Sequence, residues 1–173
     1  MENDTQRTGA DFSPEAILQL SLAYDKHANT LYRLGLMYLK NHWSAEEVVM
    51  DTFIKFMEAK PDFESPDHEK FWLIRTAINA CKDTLKSSWV KKVTLTQDIC
   101  ERLTTSIEKE IMKELLELPP MYRSVIYMYY YEGYTTKEIA LILGKRESTI
   151  RSQLTRGRAL LKTILLKEGE YTL

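Results

Sequence analysis

The chain has 173 residues, 44% of them hydrophobic and 28% charged, with only 6 glycines and 5 prolines. That balance excludes a disordered or low-complexity chain and fits one ordinary domain or two small ones. The net charge of −1 hides an alternation, −6 over residues 1–70, +4 over 71–93, −3 over 94–133 and +4 over 134–173, which excludes a single basic coat and leaves two separate basic blocks for anionic partners.

In chain order, Ser13-Pro14 reads as an N-cap with proline at the first helical position, opening a helix toward Lys26. A second helix is expected from Thr30 to Lys40. Ser44-Ala45-Glu46-Glu47 reads as a capping box, and the helix it opens carries Val48, Val49, Phe53, Phe56 and Met57 at helical spacing. Lys60 to Asp67 holds two prolines and reads as a loop. A long helix is expected from Glu69 to Lys92, with Phe71, Ile74, Ile78, Cys81, Leu85 and Trp89 on one apolar stripe. About a quarter-turn away at 100° per residue lies a second stripe, Trp72, Arg75, Asn79, Lys82 and Lys86. It is basic, with one aromatic and one amide, and could carry an anionic strand; the competing reading is solvated lysines and a packed tryptophan.

Residues 93–106 are rich in threonine and poor in periodicity, and read as a flexible linker. A short helix from Ile107 to Leu116 stops at Leu118-Pro119-Pro120. Met121 to Glu132 is read as helix, although Val125 to Tyr131 could pass for a buried strand. Thr135-Thr136-Lys137-Glu138 is a second capping box, opening a helix over 136–143 that Gly144 stops. A longer helix starts near Glu147, with Ile150, Leu154, Gly157 and Leu161 facing inward. Ser148, Arg151, Ser152 and Thr155 point the other way, and Arg156 and Arg158 flank them. Two helices joined by a short turn after glycine match the helix-turn-helix arrangement, whose second helix enters the major groove; the competing reading is an ordinary helical hairpin with a solvated basic face. Arginine can pair there with guanine, for about 1–3 kcal/mol of discrimination.

These segments together resemble one family. Glu132 to Ala140, Leu143-Gly144 and Ser148 to Arg158 look like region four of the bacterial extracytoplasmic-function sigma factors. Ala45 to Phe53 resembles their region-two helix that docks on the polymerase clamp. Phe71-Trp72-Leu73-Ile74 through Asn79 and Asp83 resembles the helix that opens and reads the −10 element, and Leu118-Pro119 with Tyr122-Arg123 resembles the start of region four. The likeness covers about residues 20–165. Glu47 and Met50 stand where the family usually has aspartate and glutamine. Lys145 and Arg146 replace an apolar residue and a small or proline cap, adding two donors near the DNA backbone.

The resemblance implies an all-α chain of two small helical domains: region two over 13–92, a linker over 93–106, and region four over 107–168 containing the helix-turn-helix. It implies docking on core RNA polymerase through Glu46, Glu47, Met50 and Asp51. It implies −10 contacts from Trp72, Arg75, Asn79, Lys82 and Lys86, with Phe63 and His68 at a pocket for an extruded base. At the −35 element, Ser148, Arg151, Ser152 and Thr155 are expected at base edges and Lys145, Arg146, Arg156 and Arg158 at phosphates. The two domains are expected to share few contacts. The partners are then core polymerase and promoter DNA, with an anti-sigma factor as a further candidate.

Other classes fare worse. No Gly-rich phosphate loop or Walker pattern is present, so an enzyme of that kind is not expected. His27, His42 and His68 are scattered without ligand-spaced partners, so neither metal nor cofactor is expected. Cys81 and Cys100 stand far apart, which argues against a disulfide framework and for a reducing cytoplasm. No apolar run nears the roughly 18 residues of a spanning helix, and the polar start Met1 to Arg7 lacks a signal-peptide core, so membrane insertion is not expected. The alternative is a helix-turn-helix regulator that binds duplex DNA without polymerase; a helical adaptor comes third. Such a regulator has no use for a second, strand-binding stripe.

Overall fold

The computed structural model describes residues 13–87 and 106–169, and every regular element among them is an α-helix. Helix α1 spans Pro14–Leu39, α2 His42–Ala59 and α3 Pro66–Lys86. In the second described stretch come α4 (Ser106–Glu117), α5 (Pro120–Tyr130), α6 (Thr136–Leu143) and α7 (Glu147–Gly169). The segment Val125 to Tyr131, ambiguous by composition, is helical through Tyr130.

Ser13 caps α1 as expected, its side chain accepting from the Ala16 amide at 3.2 Å. The two helices expected from Ser13 to Lys26 and from Thr30 to Lys40 are one uninterrupted helix of 26 residues. The polar His27 interrupts the apolar pattern without interrupting the helix. It is buried on the inner face, where its Nε2 meets Glu69 Oε1 of α3 at 3.0 Å, so a hydrogen bond takes the place of apolar contact.

Helix α2 begins earlier than the Ser44 capping box suggests. Asn41 is the cap, accepting from the Ser44 amide at 2.9 Å, and Ser44 already lies inside the helix. Helix α3 also starts early, because Ser65-Pro66 repeats the Ser13-Pro14 signal: Ser65 accepts from the His68 amide at 3.1 Å and Pro66 takes the first position. Ser87 caps its other end in extended conformation. The expected continuation to Lys92, with Trp89, lies outside the described residues. Leu85, placed on the apolar stripe by its spacing, is 43% exposed; the core contact ends at Cys81, one turn earlier.

Helices α1, α2 and α3 pack around Leu31, Leu34, Met37, Phe53, Leu73 and Ile78. Helices α5, α6 and α7 pack around Val125, Tyr127, Met128, Ile139, Ile150 and Leu154. At Gly157 of α7 an added Cβ would lie 2.8 Å from Ile126 Cδ1 and 3.2 Å from Tyr122 Cβ, so this crossing requires the missing side chain.

The expectation of few contacts between the two halves does not hold. Helix α1 packs on α5, and α3 on α6. Arg123 of α5 is 3% exposed. Its guanidinium donates to the carbonyls of Leu116 and Leu118 on its own side, at 3.3 and 2.7 Å, and to those of Met37 and Tyr38 in the last turn of α1. Helix-terminal carbonyls lack intrahelical donors and carry the negative end of the helix dipole. A cation fills that need without a carboxylate, and burial draws its pKa down to about 10.

Candidate nucleic-acid interface

The short arm of the helix-turn-helix is α6. Thr135 and Glu138 form a full capping box: the Thr135 hydroxyl accepts from the Glu138 amide at 3.2 Å, and Glu138 Oε2 accepts from the Thr135 amide at 2.8 Å. The Thr135 hydroxyl also donates to Glu138 Oε2 at 2.7 Å, and this bond, then the one from the Thr135 amide, holds the Glu138 carboxyl below its usual range. Gly144 ends the helix in the left-handed region, at φ 61°, a conformation costing other residues about 1–2 kcal/mol.

The rotation of α7 is set by what it buries. Ile150 and Leu154 are inside, each worth about 1.5–3 kcal/mol relative to exposure. Turning the helix would expose both. Ser148, Arg151, Ser152 and Thr155 are consequently on the solvent face, as are Lys145, Arg146, Arg156 and Arg158. Arg158 has a further role in the fold, its guanidinium carbon lying 5.8 and 5.5 Å from the ring centres of Tyr129 and Tyr130.

The first turn of α7 holds a bond pattern that spacing alone did not reveal. Glu147 Oε1 accepts from the Thr136 hydroxyl at 2.6 Å and from Arg151 Nε and Nη2 at 3.2 and 2.8 Å. The Thr136 bond, then the Arg151 bond, lowers the Glu147 pKa.

On α3, Arg75, Asn79 and Lys86 are exposed, and Trp72 and Lys82 half-buried. Trp72 meets Phe63 edge-on at 6.0 Å and Phe56 at 6.3 Å, while Phe63 meets His68 edge-on at 5.4 Å. Phe63 and His68 are thereby brought beside Trp72. A groove of about 450 Å³ runs past His68, Trp72 and Arg75, and its far wall is Leu141 and Ile142 of α6. Lys82 has its pKa lowered, first by burial and then by Lys145, Lys86 and Arg75. The basic stripe of α3 and the turn of the helix-turn-helix therefore face each other.

On α2, Glu46, Glu47, Met50 and Asp51 are exposed, Met50 to 58%, while Val49, Phe53 and Phe56 face inward. A groove of about 590 Å³ lined by Tyr24, Tyr32, Glu46, Val49 and Met50 lies between α1 and α2. Ile54 of α2, one turn on from Met50, is also exposed, so the acidic face borders apolar surface.

Cys81 is buried and its thiol pKa is raised to about 12 by burial, which is core behaviour rather than nucleophile behaviour. Among the described residues no three His, Cys, Asp or Glu side chains gather as metal ligands, and no helix is long and apolar enough to cross a membrane.

The sigma-70 region 2 family profile matches residues 23–90, and the sigma-70 region 4 profile residues 108–161. Three curated relatives align over most of both partners. The RNA polymerase sigma factor SigV of Bacillus subtilis is 26% identical, covering 82% of this chain and 88% of its own. The ECF RNA polymerase sigma factor SigM of the same organism is 29% identical, over 82% and 91%. The ECF sigma factor SigL of Mycobacterium tuberculosis is 29% identical, over 86% and 89%. Two solved structures share the fold. The sigma factor RpoE of Bartonella quintana, determined with the anti-sigma factor NepR, has a TM-score of 0.65 at 21% identity, covering 88% of this chain and 98% of that one. CnrH, determined with the cytosolic domain of CnrY, has a TM-score of 0.64 at 22% identity, over 86% and 88%.

Proposed function

Because this chain belongs to the extracytoplasmic-function group of the sigma-70 family, and is thus an RNA polymerase sigma factor, we propose a role for each of its surfaces. Residues 13–92 form the region-two unit, 93–106 the linker and 107–168 the region-four unit. The exposed Glu46, Glu47, Met50 and Asp51 of α2 dock on core polymerase. Trp72, Arg75, Asn79, Lys82 and Lys86 hold the unpaired −10 strand, by stacking on the indole and by phosphate contact. Phe63 and His68 flank the base extruded from it. Ser148, Arg151, Ser152 and Thr155 read the −35 element in the major groove, while Lys145, Arg146, Arg156 and Arg158 reach phosphates.

The observation that carries this reading is the pair of basic faces on one chain, one on α3 and one on α7. A regulator that only grips duplex DNA needs the second and not the first. The chain works as a specificity subunit rather than an enzyme, in the cytoplasm where polymerase is. An anti-sigma factor is a fitting regulator, since RpoE of Bartonella quintana was solved with one. For a strand to enter the groove beside Trp72, Leu141 and Ile142 must withdraw, so region four leaves region two when the polymerase complex forms.

The test separates the two kinds of contact on α7. With the chain assembled on core polymerase, Lys145→Ala is expected to weaken binding to every −35 variant and to reduce the salt slope by about one. Arg151→Ala is expected to relax preference at one base pair. Uniform loss from both substitutions contradicts the assignment of the Arg151 face.

A further inference from the structure

The Arg151 guanidinium is held in place before any DNA arrives. Its side chain is 70% exposed, yet Nε and Nη2 both donate to Glu147 Oε1. The same oxygen accepts the Thr136 hydroxyl proton, which ties it to the first residue of α6. Glu147 is therefore braced from behind by one helix while it grips an arginine on the next turn of the other.

We infer that Glu147 is the positioning residue that sets −35 selectivity at the base pair Arg151 reads, by fixing how the guanidinium is presented. This rests on the reading of α7 as the −35 helix. The guanidinium carries five N–H donors in a rigid planar fork. Glu147 occupies the Nε proton and one on Nη2, leaving the Nη1 protons and the second Nη2 proton free. Guanine offers two adjacent acceptors in the major groove, O6 and N7, and selective pairing needs two donors aimed together. A long arginine without a brace can reach a phosphate instead, which strengthens binding and carries no sequence information. The braced arginine has already lost the freedom to make that swing, and the carboxylate beside it repels phosphate. Position helps as well: at the N-terminus of α7 the helix dipole favours the ionised carboxylate.

A glutamate in a major-groove helix could also read a base directly, by accepting from the cytosine amino group. The bracing geometry favours the indirect role: Oε1 already has three donors, so direct reading would fall to Oε2 alone, and the double variant with Arg151 separates the two.

The experiment uses the chain assembled with core RNA polymerase and a panel of promoter duplexes with every single base-pair change in the −35 element. Arg151→Ala locates the base pair by flattening its preference by about tenfold. Glu147→Ala and Glu147→Gln are expected to lose most of that preference at the same base pair. Affinity for the disfavoured sequences should stay equal or rise, since a carboxylate has left the phosphate surface. The double variant Glu147→Ala with Arg151→Ala should show no further loss. Thr136→Val, which removes the brace from α6 but leaves the Glu147–Arg151 pair, should lose only a minor part of the preference.

Preference intact in Glu147→Ala but lost in Arg151→Ala overturns the inference and leaves the −35 reading standing. Further relaxation in the double variant, or relaxation at another base pair, makes Glu147 a base reader and overturns it too. Equal relaxation by Thr136→Val makes the glutamate a staple between helices, with the same result. Uniform weakening by Arg151→Ala, with no base pair singled out, overturns the −35 role of Arg151 and the inference with it.

Discussion

Arg123, in the first turns of α5, donates through Nη2 to the main-chain carbonyl of Tyr38 at the end of α1, at 2.8 Å. The two residues lie 85 positions apart and belong to different halves of the chain, so this bond and its companion to Met37 fasten region four to region two. Replacing Arg123 by leucine leaves four carbonyls without this donor, and burial keeps water from replacing it. An unsatisfied buried polar group costs about 1–3 kcal/mol, so Arg123→Leu is expected to lower stability by about 2–4 kcal/mol in urea unfolding. A change under 0.5 kcal/mol would mean the carbonyls find other donors.

His27 gives the fold a pH dependence of definite sign. Burial, the largest influence, lowers its pKa below 6.5 despite the hydrogen bond to Glu69. Lys26 and Lys70 act in the same direction as burial, the Glu69 charge against it. The unfolded chain then binds a proton more readily than the folded one. Stability is full above about pH 6.5 and falls as the pH drops from there through the lowered folded value. Urea midpoints measured between pH 7.5 and 5 should decline more steeply for the natural chain than for His27→Gln. Parallel declines would assign the acid sensitivity to other groups.

The −10 face is tested by promoter melting. Trp72→Ala removes the stacking platform, worth about 1–3 kcal/mol per base, and Asn79→Ala with Lys82→Ala removes an amide and a cation from the same stripe. Permanganate footprints of the open promoter should show reduced thymine reactivity at the −10 element for both, at unchanged binding to core polymerase. Reactivity equal to the natural chain in the Asn79/Lys82 double variant would remove this stripe from strand capture.

Much of this organisation was legible in the residues themselves. Apolar spacing placed Ile150, Leu154 and Gly157 inward, and hence Ser148, Arg151, Ser152 and Thr155 outward. The Thr135–Glu138 box and Gly144 bounded α6 correctly because capping is a local interaction between near neighbours in sequence. Local signals misled where two competed. Asn41 and Ser44 are both good caps, and only the fold decides that Asn41 serves. Ser65-Pro66 sat beside Pro61 and read as loop. The helices expected on either side of His27 are one, because this polar residue is buried against Glu69, 42 residues away. The Arg123 clasp and the meeting of Arg75 with Gly144, where an added Cβ would lie 3.3 Å from Nη2, are long-range relationships with no periodic trace. The Glu147–Arg151 pair has helical i, i+4 spacing, and its role became visible only with the Thr136 hydroxyl in place.

Action with RNA polymerase is tested most directly by assembly with purified core enzyme. The natural chain is expected to co-elute with core polymerase as a stoichiometric complex that starts transcription at one defined promoter position. Glu46→Lys with Glu47→Lys, on the exposed face of α2, should weaken that assembly without changing the unfolding free energy in urea by more than about 0.5 kcal/mol, as for surface changes generally. Binding of duplex promoter DNA by the chain alone, with no association with core polymerase, would rule out a sigma factor and establish a polymerase-independent regulator instead.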